Sequence, residues 1–199
     1  MYKPQDYYFK QAKKEEYPAR SIYKLKEIDE KFHIFNPGDL VLDLGCFPGS
    51  WMLYAQKAVQ PNGKVLGIDL KPITISSEAL FLQKDIFKLK TEEIENVLKK
   101  NNLSNKFDVI ISDLAPLTSG IKDVDSERSV ELIKKAFSFI PSLLKKEGSF
   151  VCKAFEHCDV HFLVKKMSSY FEFSKMFKPK ATRKRSKEIY IILSSWKGL

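Results

Sequence analysis

The sequence predicts an α/β fold in which a mostly parallel, doubly wound sheet carries helices on both faces. Strand patterns alternate with helical patterns along the 199 residues, and this alternation is typical of parallel sheets. Residues 107–112 are almost wholly apolar, as expected for a strand buried on both faces. The last two strand patterns have no helix between them, which predicts a C-terminal antiparallel hairpin. We therefore expect a seven-stranded sheet within a single domain spanning residues 1–199.

Each element is predicted from a local pattern. Residues 1–20 are basic and aromatic and are expected to form an N-terminal arm, irregular or helical over residues 3–14. Ser21 is a candidate N-cap for a helix that ends near Phe32 and has apolar residues on one face. The other elements are expected as strand 40–44, helix 51–59, strand 64–69, strand 79–83, helix 92–100, strand 107–112, helix 125–146 with a kink near Pro141, strand 149–155, helix 160–170, and strands 172–177 and 188–194.

The most informative stretch is residues 41–51, an apolar strand followed by a glycine-containing turn. Gly45 and Gly49 allow the backbone to pass close to a ligand, and Asp69 ends the next strand, where an acid commonly binds a ribose. The dinucleotide fingerprint Gly-x-Gly-x-x-Gly is absent, and Pro48 has no N–H to offer a pyrophosphate. The pattern favours a nucleoside ligand without phosphates, of which S-adenosylmethionine is the common one. The alternative is an ordinary strand–turn–helix of an α/β core.

The chain carries 34 Lys and Arg against 25 Asp and Glu, which gives a net charge of +9 and a pI near 9.3. A surplus of this size favours a polyanionic partner, nucleic acid or an anionic membrane, and a merely soluble basic protein is the alternative. No apolar stretch approaches the ~20 residues that cross a bilayer, and no secretory signal is visible. We therefore expect an intracellular protein without membrane attachment. Cytoplasm, nucleus and an organelle such as the mitochondrion stay open.

The three cysteines, Cys46, Cys152 and Cys158, form no Cys-x-x-Cys pair. An odd count without such a pair argues against a disulfide framework and a zinc ribbon, and it fits a reducing compartment. His157, Cys158 and His161 have spacings that share a helical face, but three ligands on one short turn rarely close a structural metal site. We expect no metal.

Four polar residues fall where this fold would gather them over one cleft. Asp113 ends the fourth strand, and Lys153 lies near the end of the fifth strand among apolar neighbours. Glu188 opens the last strand, and Lys24 lies on the amino-terminal helix. Burying a lysine is costly unless it is paired or functional, so Lys153 is a candidate site residue.

On these residues the chain resembles the FtsJ-like (RrmJ-type) ribosomal RNA 2′-O-ribose methyltransferases, over nearly its whole length. The similarity lies in five ordered motifs, at residues 20–25, 43–51, 112–116, 153–155 and 186–190. It implies a Rossmann-like class I methyltransferase fold with S-adenosylmethionine as cofactor. It also implies that the family's Lys-Asp-Lys-Glu catalytic tetrad is Lys24, Asp113, Lys153 and Glu188.

The resemblance further implies a set of cofactor-binding residues: Gly45, Pro48, Gly49, Trp51, Asp69, Asp85 and Asp113. Trp51 is equally well interpreted as a core aromatic that packs a helix on the sheet, and Asp85 as an isolated Asp before a turn. The chain departs from the family pattern at Cys46 and Phe47, where relatives have small residues, and at Pro18, where they more often have arginine.

Methyl transfer from a sulfonium to a ribose hydroxyl is an in-line displacement, so the enzyme must deprotonate and position a weakly acidic hydroxyl. We predict Lys153 as the general base and Asp113 as the residue that orients it, with a possible contact to the methionine moiety. Lys24 and Glu188 are assigned supporting roles. The alternative is a buried ion-pair network that holds the last strand to the sheet.

Basic residues cluster in the N-terminal arm and in the loop before the last strand. In the arm, tyrosines and Phe9 are interleaved with the charged residues. This combination suits phosphate contacts with bases stacked on rings. The resemblance implies a uridine ribose of large-subunit ribosomal RNA, free or in the subunit, as the substrate of a monomer. Transfer RNA or a messenger RNA cap, and a non-catalytic ribosome-assembly role, are the alternatives. The predicted RNA-binding residues are Arg20, Lys180, Arg183, Lys184 and Arg185.

Overall fold

The structure, a computed structural model, describes residues 7–73, 78–116, 120 and 122–198. Its helices are α1 (Tyr7–Lys14), α2 (Ile22–Phe32), α3 (Ser50–Ala58), α4 (Thr91–Lys100), α5 (Lys122–Phe137), α6 (Ile140–Leu143) and α7 (Cys158–Ser168). Its strands are β1 (Leu40–Leu44), β2 (Lys64–Asp69), β3 (Leu80–Gln83), β4 (Phe107–Ser112), β5 (Leu144–Phe155), β6 (Phe171–Phe177) and β7 (Glu188–Trp196).

Within the described ranges, the strands form one seven-stranded sheet in the order β3-β2-β1-β4-β5-β7-β6. Strands β1 to β5 pair in parallel, while β7 is antiparallel to both β5 and β6. The predicted mostly parallel sheet and its C-terminal antiparallel hairpin are confirmed.

The sheet is covered on both faces, because its strands bury apolar side chains on each side. Residues of α4, α5 and α7 join one hydrophobic cluster, and residues of α2 and α3 join a second cluster on the opposite face. Strands β1 and β4 are buried almost throughout, as the continuous apolar runs predicted. No helix among the described residues has the length and apolarity that a membrane span requires.

Two local predictions are wrong. The helix expected over residues 125–146 is interrupted near Pro141 as predicted, because α5 ends at Phe137 and α6 spans Ile140–Leu143, but its end is wrong, since β5 already begins at Leu144, which pairs with Phe107. Tertiary pairing overrides the helical propensity of the lysine-rich segment that follows. Ser21 does not cap α2, because its backbone is already helical (φ −58°, ψ −22°) and its side chain makes no capping hydrogen bond.

The N-terminal arm is helical where it is described, since α1 spans Tyr7–Lys14. Residues 1–6, which also belong to the predicted arm, lie outside the described residues. Ala12, on the inner side of α1, is buried in a small cluster with Ile22, Tyr23 and Ala181. This contact connects α1 both to the start of α2 and to the loop that precedes β7.

Candidate active site

A cavity of about 660 Å³ opens at the carboxyl ends of the parallel strands. It is lined by the segments that follow β1, β2, β3 and β4 and by one side of α5. In open α/β sheets this edge is where ligands bind, and the volume lies within the usual range for small-molecule sites. We refer to it as the first cavity.

The turn after β1 brings the backbone close to this cavity. Gly45 has φ +79°, and a Cβ placed on it would lie only 2.7 Å from Leu114 Cδ2, so the position requires glycine. Pro48 has no amide hydrogen, and the other amide groups of the turn donate to Ile68 O (residues 45 and 46), Asp69 Oδ2 (residue 47) and Cys46 O (residue 49). The turn therefore has no uncommitted amide for a pyrophosphate.

Carboxylates surround the same turn. Asp69, Asp85 and Asp113 line the first cavity. Asp69 also accepts the Lys71 amide at 2.8 Å, and Asp85 accepts the Phe87 amide at 3.0 Å, which fixes both side chains. Asp85 thus faces the cavity and stabilises a turn at once.

Asp43, in the middle of β1, is a residue that the site prediction missed. Its side chain is completely buried, and neither carboxylate oxygen has a hydrogen-bond partner among the residues that the structure describes. Burial, and then the charges of Asp113 and Asp69, raise the pKa of Asp43 well above the ordinary aspartate value. An acid inside the apolar run from Val41 to Leu44 was the sequence signal that could have identified it.

The four predicted tetrad residues come together in two pairs, in which both lysines are buried and both carboxylates are partly buried. Lys24 Nζ lies 2.5 Å from Glu188 Oε2, and Lys153 Nζ lies 3.1 Å from Asp113 Oδ1. Lys153 Nζ also donates to the Asp113 carbonyl oxygen at 2.8 Å. Burial alone would raise the pKa of Glu188, but Lys24, Lys153 and Arg183 outweigh it, so the pKa is lowered.

Tyr190 joins the tetrad and was not predicted as a site residue. It lies directly opposite Lys153 in the β5–β7 pairing, and its hydroxyl donates to Asp113 Oδ1 at 3.1 Å. Burial, and then Asp113 and Glu188, raise the pKa of Tyr190 well above its usual value, so the phenol keeps its proton. The available signal was the two-residue spacing from Glu188, which places both side chains on one face of β7.

A second cavity of about 430 Å³ lies on the other side of the tetrad. Arg20, Arg183 and Arg185 line it together with Lys24 and Glu188. Burial, and then the charge of Arg183, lower the pKa of Arg20.

The second cavity contains only part of the predicted RNA-binding set. Lys180 and Lys184 are exposed and do not line it. Because Asp113 lines the first cavity while Lys24 and Glu188 line the second, the tetrad forms the boundary between the two.

The remaining predicted cofactor residues lie behind the first cavity. Trp51 is buried, donates its indole N–H to the Ser21 carbonyl at 3.0 Å and packs against Tyr190, which favours its interpretation as a core aromatic. Pro48 and Gly49 shape the turn that leads into α3 without lining the cavity.

The possible metal ligands near α7 show no metal-binding arrangement. His157 Nδ1 lies 3.2 Å from Asp159 Oδ2, and the Cys158 side chain lies outside what is described. Over the described part of the chain, no group of three or more His, Cys, Asp or Glu residues is placed to hold a metal ion.

The sheet order, the acid-lined first cavity and the lysine–carboxylate tetrad beside it define a Rossmann-like methyltransferase. The sequence profile of the FtsJ-like methyltransferases matches residues 17–196, so this chain belongs to the FtsJ-like methyltransferase family. The resemblance predicted from the five motifs is confirmed.

Characterised relatives match over nearly the whole chain. The ribosomal RNA large subunit methyltransferase E of Bdellovibrio bacteriovorus is 44% identical over 192 residues, which cover 96% of each chain. The protein of the same name from Lawsonia intracellularis is 46% identical, covering 94% of this chain and 92% of that one. A crystal structure assigned as a Plasmodium falciparum ribosomal RNA methyltransferase superposes with a TM-score of 0.81 at 27% identity, covering 92% of this chain and all of the other.

Proposed function

We propose that this protein transfers a methyl group from S-adenosylmethionine to the 2′-hydroxyl of a uridine ribose in large-subunit ribosomal RNA. The observation that carries the proposal is the position of the tetrad. It lies between one cavity lined by carboxylates and another lined by arginines. A small nucleoside donor and a polyanionic acceptor would thereby meet at the tetrad, whose Asp113 lines the first cavity and whose Lys24 and Glu188 line the second.

The residues around the first cavity fit S-adenosylmethionine. Asp69 would accept the ribose hydroxyls, and Asp85 would face the adenine side. The carboxylate of Asp113, which lines this cavity, would face the ligand's cationic end. When bound, S-adenosylmethionine supplies an electrophilic methyl group on a positively charged sulfur.

The tetrad supplies the proton acceptor. Lys153 Nζ would take the proton of the ribose 2′-hydroxyl, whose oxygen would accept the methyl group while the bond from that methyl to sulfur breaks and the electron pair leaves with the neutral thioether product. Asp113 holds Lys153 at two points, through Oδ1 and through its carbonyl oxygen. Lys24 and Glu188 form the neighbouring pair and place a second cation near the base.

The second cavity suits the acceptor's backbone. Arg20, Arg183 and Arg185 present guanidinium groups to one space, and the carboxylate of Glu188 there is already paired with Lys24. Phosphate oxygens are the natural partners of such a group. Ribosomal RNA is inferred as the acceptor because the relatives described above are named for large-subunit ribosomal RNA methylation. We propose a monomer, since a single chain supplies the whole tetrad.

The experiment that tests this function maps ribose methylation across cellular RNAs in cells that lack the gene, with complementation by the wild type, Lys153→Ala or Lys145→Ala. Lys145 is the matched control because it lies on the same strand but pairs with Asp108, away from the tetrad. We expect one uridine of large-subunit RNA to lose its methyl group and to regain it with wild type and Lys145→Ala only. A lost signal in transfer RNA or in caps would refute the proposed acceptor, and unchanged maps would refute the function.

A further inference from the structure

We propose that the outer face of α1 binds single-stranded RNA beside the target nucleotide, with bases stacked on Tyr7 and Phe9 and phosphates held by Lys10, Lys13 and Lys14. This inference rests on the proposed function, because it requires an RNA acceptor in the second cavity. It assigns a ligand-binding role to a helix that lies outside both cavities.

The helix is fixed in place by its inner side. Ala12 is 2% exposed in the cluster formed with Ile22, Tyr23 and Ala181. The Tyr8 ring packs against the Tyr23 ring with their centroids 5.3 Å apart. The opposite face of α1 is therefore presented at a defined position relative to α2 and the loop before β7.

The outer face combines aromatic rings with cations. Tyr7 is 71% exposed and Phe9 is 48% exposed. At about 100° per helical residue, the path around the helix axis from Phe9 to Tyr7 passes the exposed residues Lys13, Lys10 and Lys14, in that order. Two exposed rings bracketing three lysines, with no acid in the first turn, match a stacking platform with an electrostatic groove.

This face continues from the second cavity. The Arg20 guanidinium, which lines that cavity, lies over the Tyr8 ring at 5.6 Å. The Tyr8 ring in turn meets the Tyr7 ring edge-on at 5.5 Å. An RNA strand whose phosphates enter the arginine-lined cavity would thus reach the exposed rings of α1 next.

The structure also distinguishes binding rings from structural ones among the aromatics of this segment. Tyr23 is buried, and Lys57 already lies over the Tyr17 ring at 4.8 Å. Tyr7 and Phe9 have faces that a base can cover. Only unpaired bases offer such faces, so the expected ligand is single-stranded rather than duplex RNA.

The test measures binding by fluorescence anisotropy with fluorescein-labelled oligouridine and with its duplex with oligoadenosine. The variant with Tyr7→Ala and Phe9→Ala should bind oligouridine roughly tenfold or more weakly, the range for lost stacking. Its salt dependence should stay unchanged, because no charge is removed. Alanine is the best helix former, so α1 should persist, and circular dichroism checks this.

Three controls sharpen the test. The variant with Tyr7→Phe and Phe9→Tyr keeps both rings and should bind as the wild type does. Phe162→Ala removes an equally exposed ring (76% exposed) from α7 and should have no effect. Neutralising Lys10, Lys13 and Lys14 together should lower the slope of log affinity against log salt by about 0.7 for each lost phosphate contact.

Several results would overturn the proposal. These are unchanged oligouridine affinity in the double alanine variant, an equal loss on the duplex, and an equal loss in Phe162→Ala. A wild-type protein that neither binds nor methylates any RNA would instead overturn the proposed function. Calorimetry with S-adenosylmethionine should give the same affinity for every α1 variant, which separates acceptor binding from donor binding.

Discussion

The two cavities that meet at the tetrad are built in opposite ways. The first is formed by strand ends and carboxylates, and the amide groups of its glycine turn are bonded within the protein. The second is formed by an exposed loop and the start of α2, and long arginine side chains supply its polar groups. On the proposed function, the difference implies that the small donor would be bound by a pre-formed frame of strand ends, whereas the polyanion would be bound by exposed cations.

The two cavities also differ in the kind of interaction they offer a ligand. Hydrogen bonds to fixed carboxylates discriminate shape and depend little on ionic strength. Contacts between arginines and phosphates release counterions and weaken steeply with salt. Variants of the two cavities should therefore separate cleanly in binding assays, and a variant of Lys153, which lines neither cavity, should change the reaction rate while leaving both affinities intact.

The largest effect is expected on the reaction rate, at the tetrad that separates the two cavities. Lys153→Ala removes the proposed proton acceptor and should lower the single-turnover methylation rate by about 10²–10⁴-fold. Donor affinity should stay near the wild-type value, because Lys153 does not line the first cavity. Lys145→Ala, on the same strand, should retain full activity. Near-normal rates for Lys153→Ala would contradict the mechanism, even with the family membership established.

The next largest effect is expected on donor binding in the first cavity. Asp69→Ala should weaken S-adenosylmethionine binding by about 1–3 kcal/mol, the cost of leaving hydroxyl donors without an acceptor. Calorimetry at low and high salt should give the same loss. Asp39→Ala changes a carboxylate near the opposite end of β1 and serves as the control. Tighter binding of nicotinamide dinucleotides than of S-adenosylmethionine would disprove the assignment of this cavity.

The affinity of the second cavity for RNA should depend on salt. Replacing Arg183 and Arg185 with glutamine should lower the slope of log affinity for single-stranded RNA against log salt by roughly 1.4, or about 0.7 for each contact. The matched control replaces Lys180 and Lys184 in the same way. This removes an equal charge from the same loop, but both residues lie outside the second cavity. Equal slopes for the two double variants would mean that the cavity is not the phosphate site.

A smaller effect is expected at Tyr190, whose hydroxyl contacts Asp113 of the tetrad. Tyr190→Phe removes the hydroxyl that donates to Asp113, and about 0.5–1.5 kcal/mol of stabilisation with it. Asp113 should then be positioned less firmly beside Lys153, so the single-turnover methylation rate should fall about severalfold. Tyr54→Phe, which removes a tyrosine donor to Asp29 on another part of the protein, should leave that rate unchanged. An unchanged rate for Tyr190→Phe would contradict the assigned role.

The sheet was predictable because burial on both faces leaves continuous apolar runs, and because glycine and proline mark the turns between them. The bounds of β1, β2 and β4 agree with the predicted ones. The start of β5 was not predictable, because the lysine-rich residues around Lys145 have no apolar pattern, and the strand begins at Leu144 through its pairing with Phe107 of β4. Ser21 failed as a cap because packing already holds its backbone in a helical conformation.

The tetrad was predictable from ordered motifs, but its supporting residues were not. Asp43 and Tyr190 act through neighbours that lie far away in the sequence, so their roles depend on register across β1, β4, β5 and β7. The division between the two cavities is also invisible in the sequence. Arg183 and Lys184 are adjacent and both basic, yet only Arg183 lines the second cavity.

The position of β7 has a consequence for how the protein becomes active. This strand comes last among the described strands, yet it is inserted between β5 and β6 and contributes Glu188 and Tyr190. During synthesis, β1 to β4 can fold and form most of the first cavity while β7 is still inside the translating ribosome. On the proposed mechanism, a nascent chain would thus be able to hold its methyl donor before it can react, and it would become catalytically competent only when β7 is inserted.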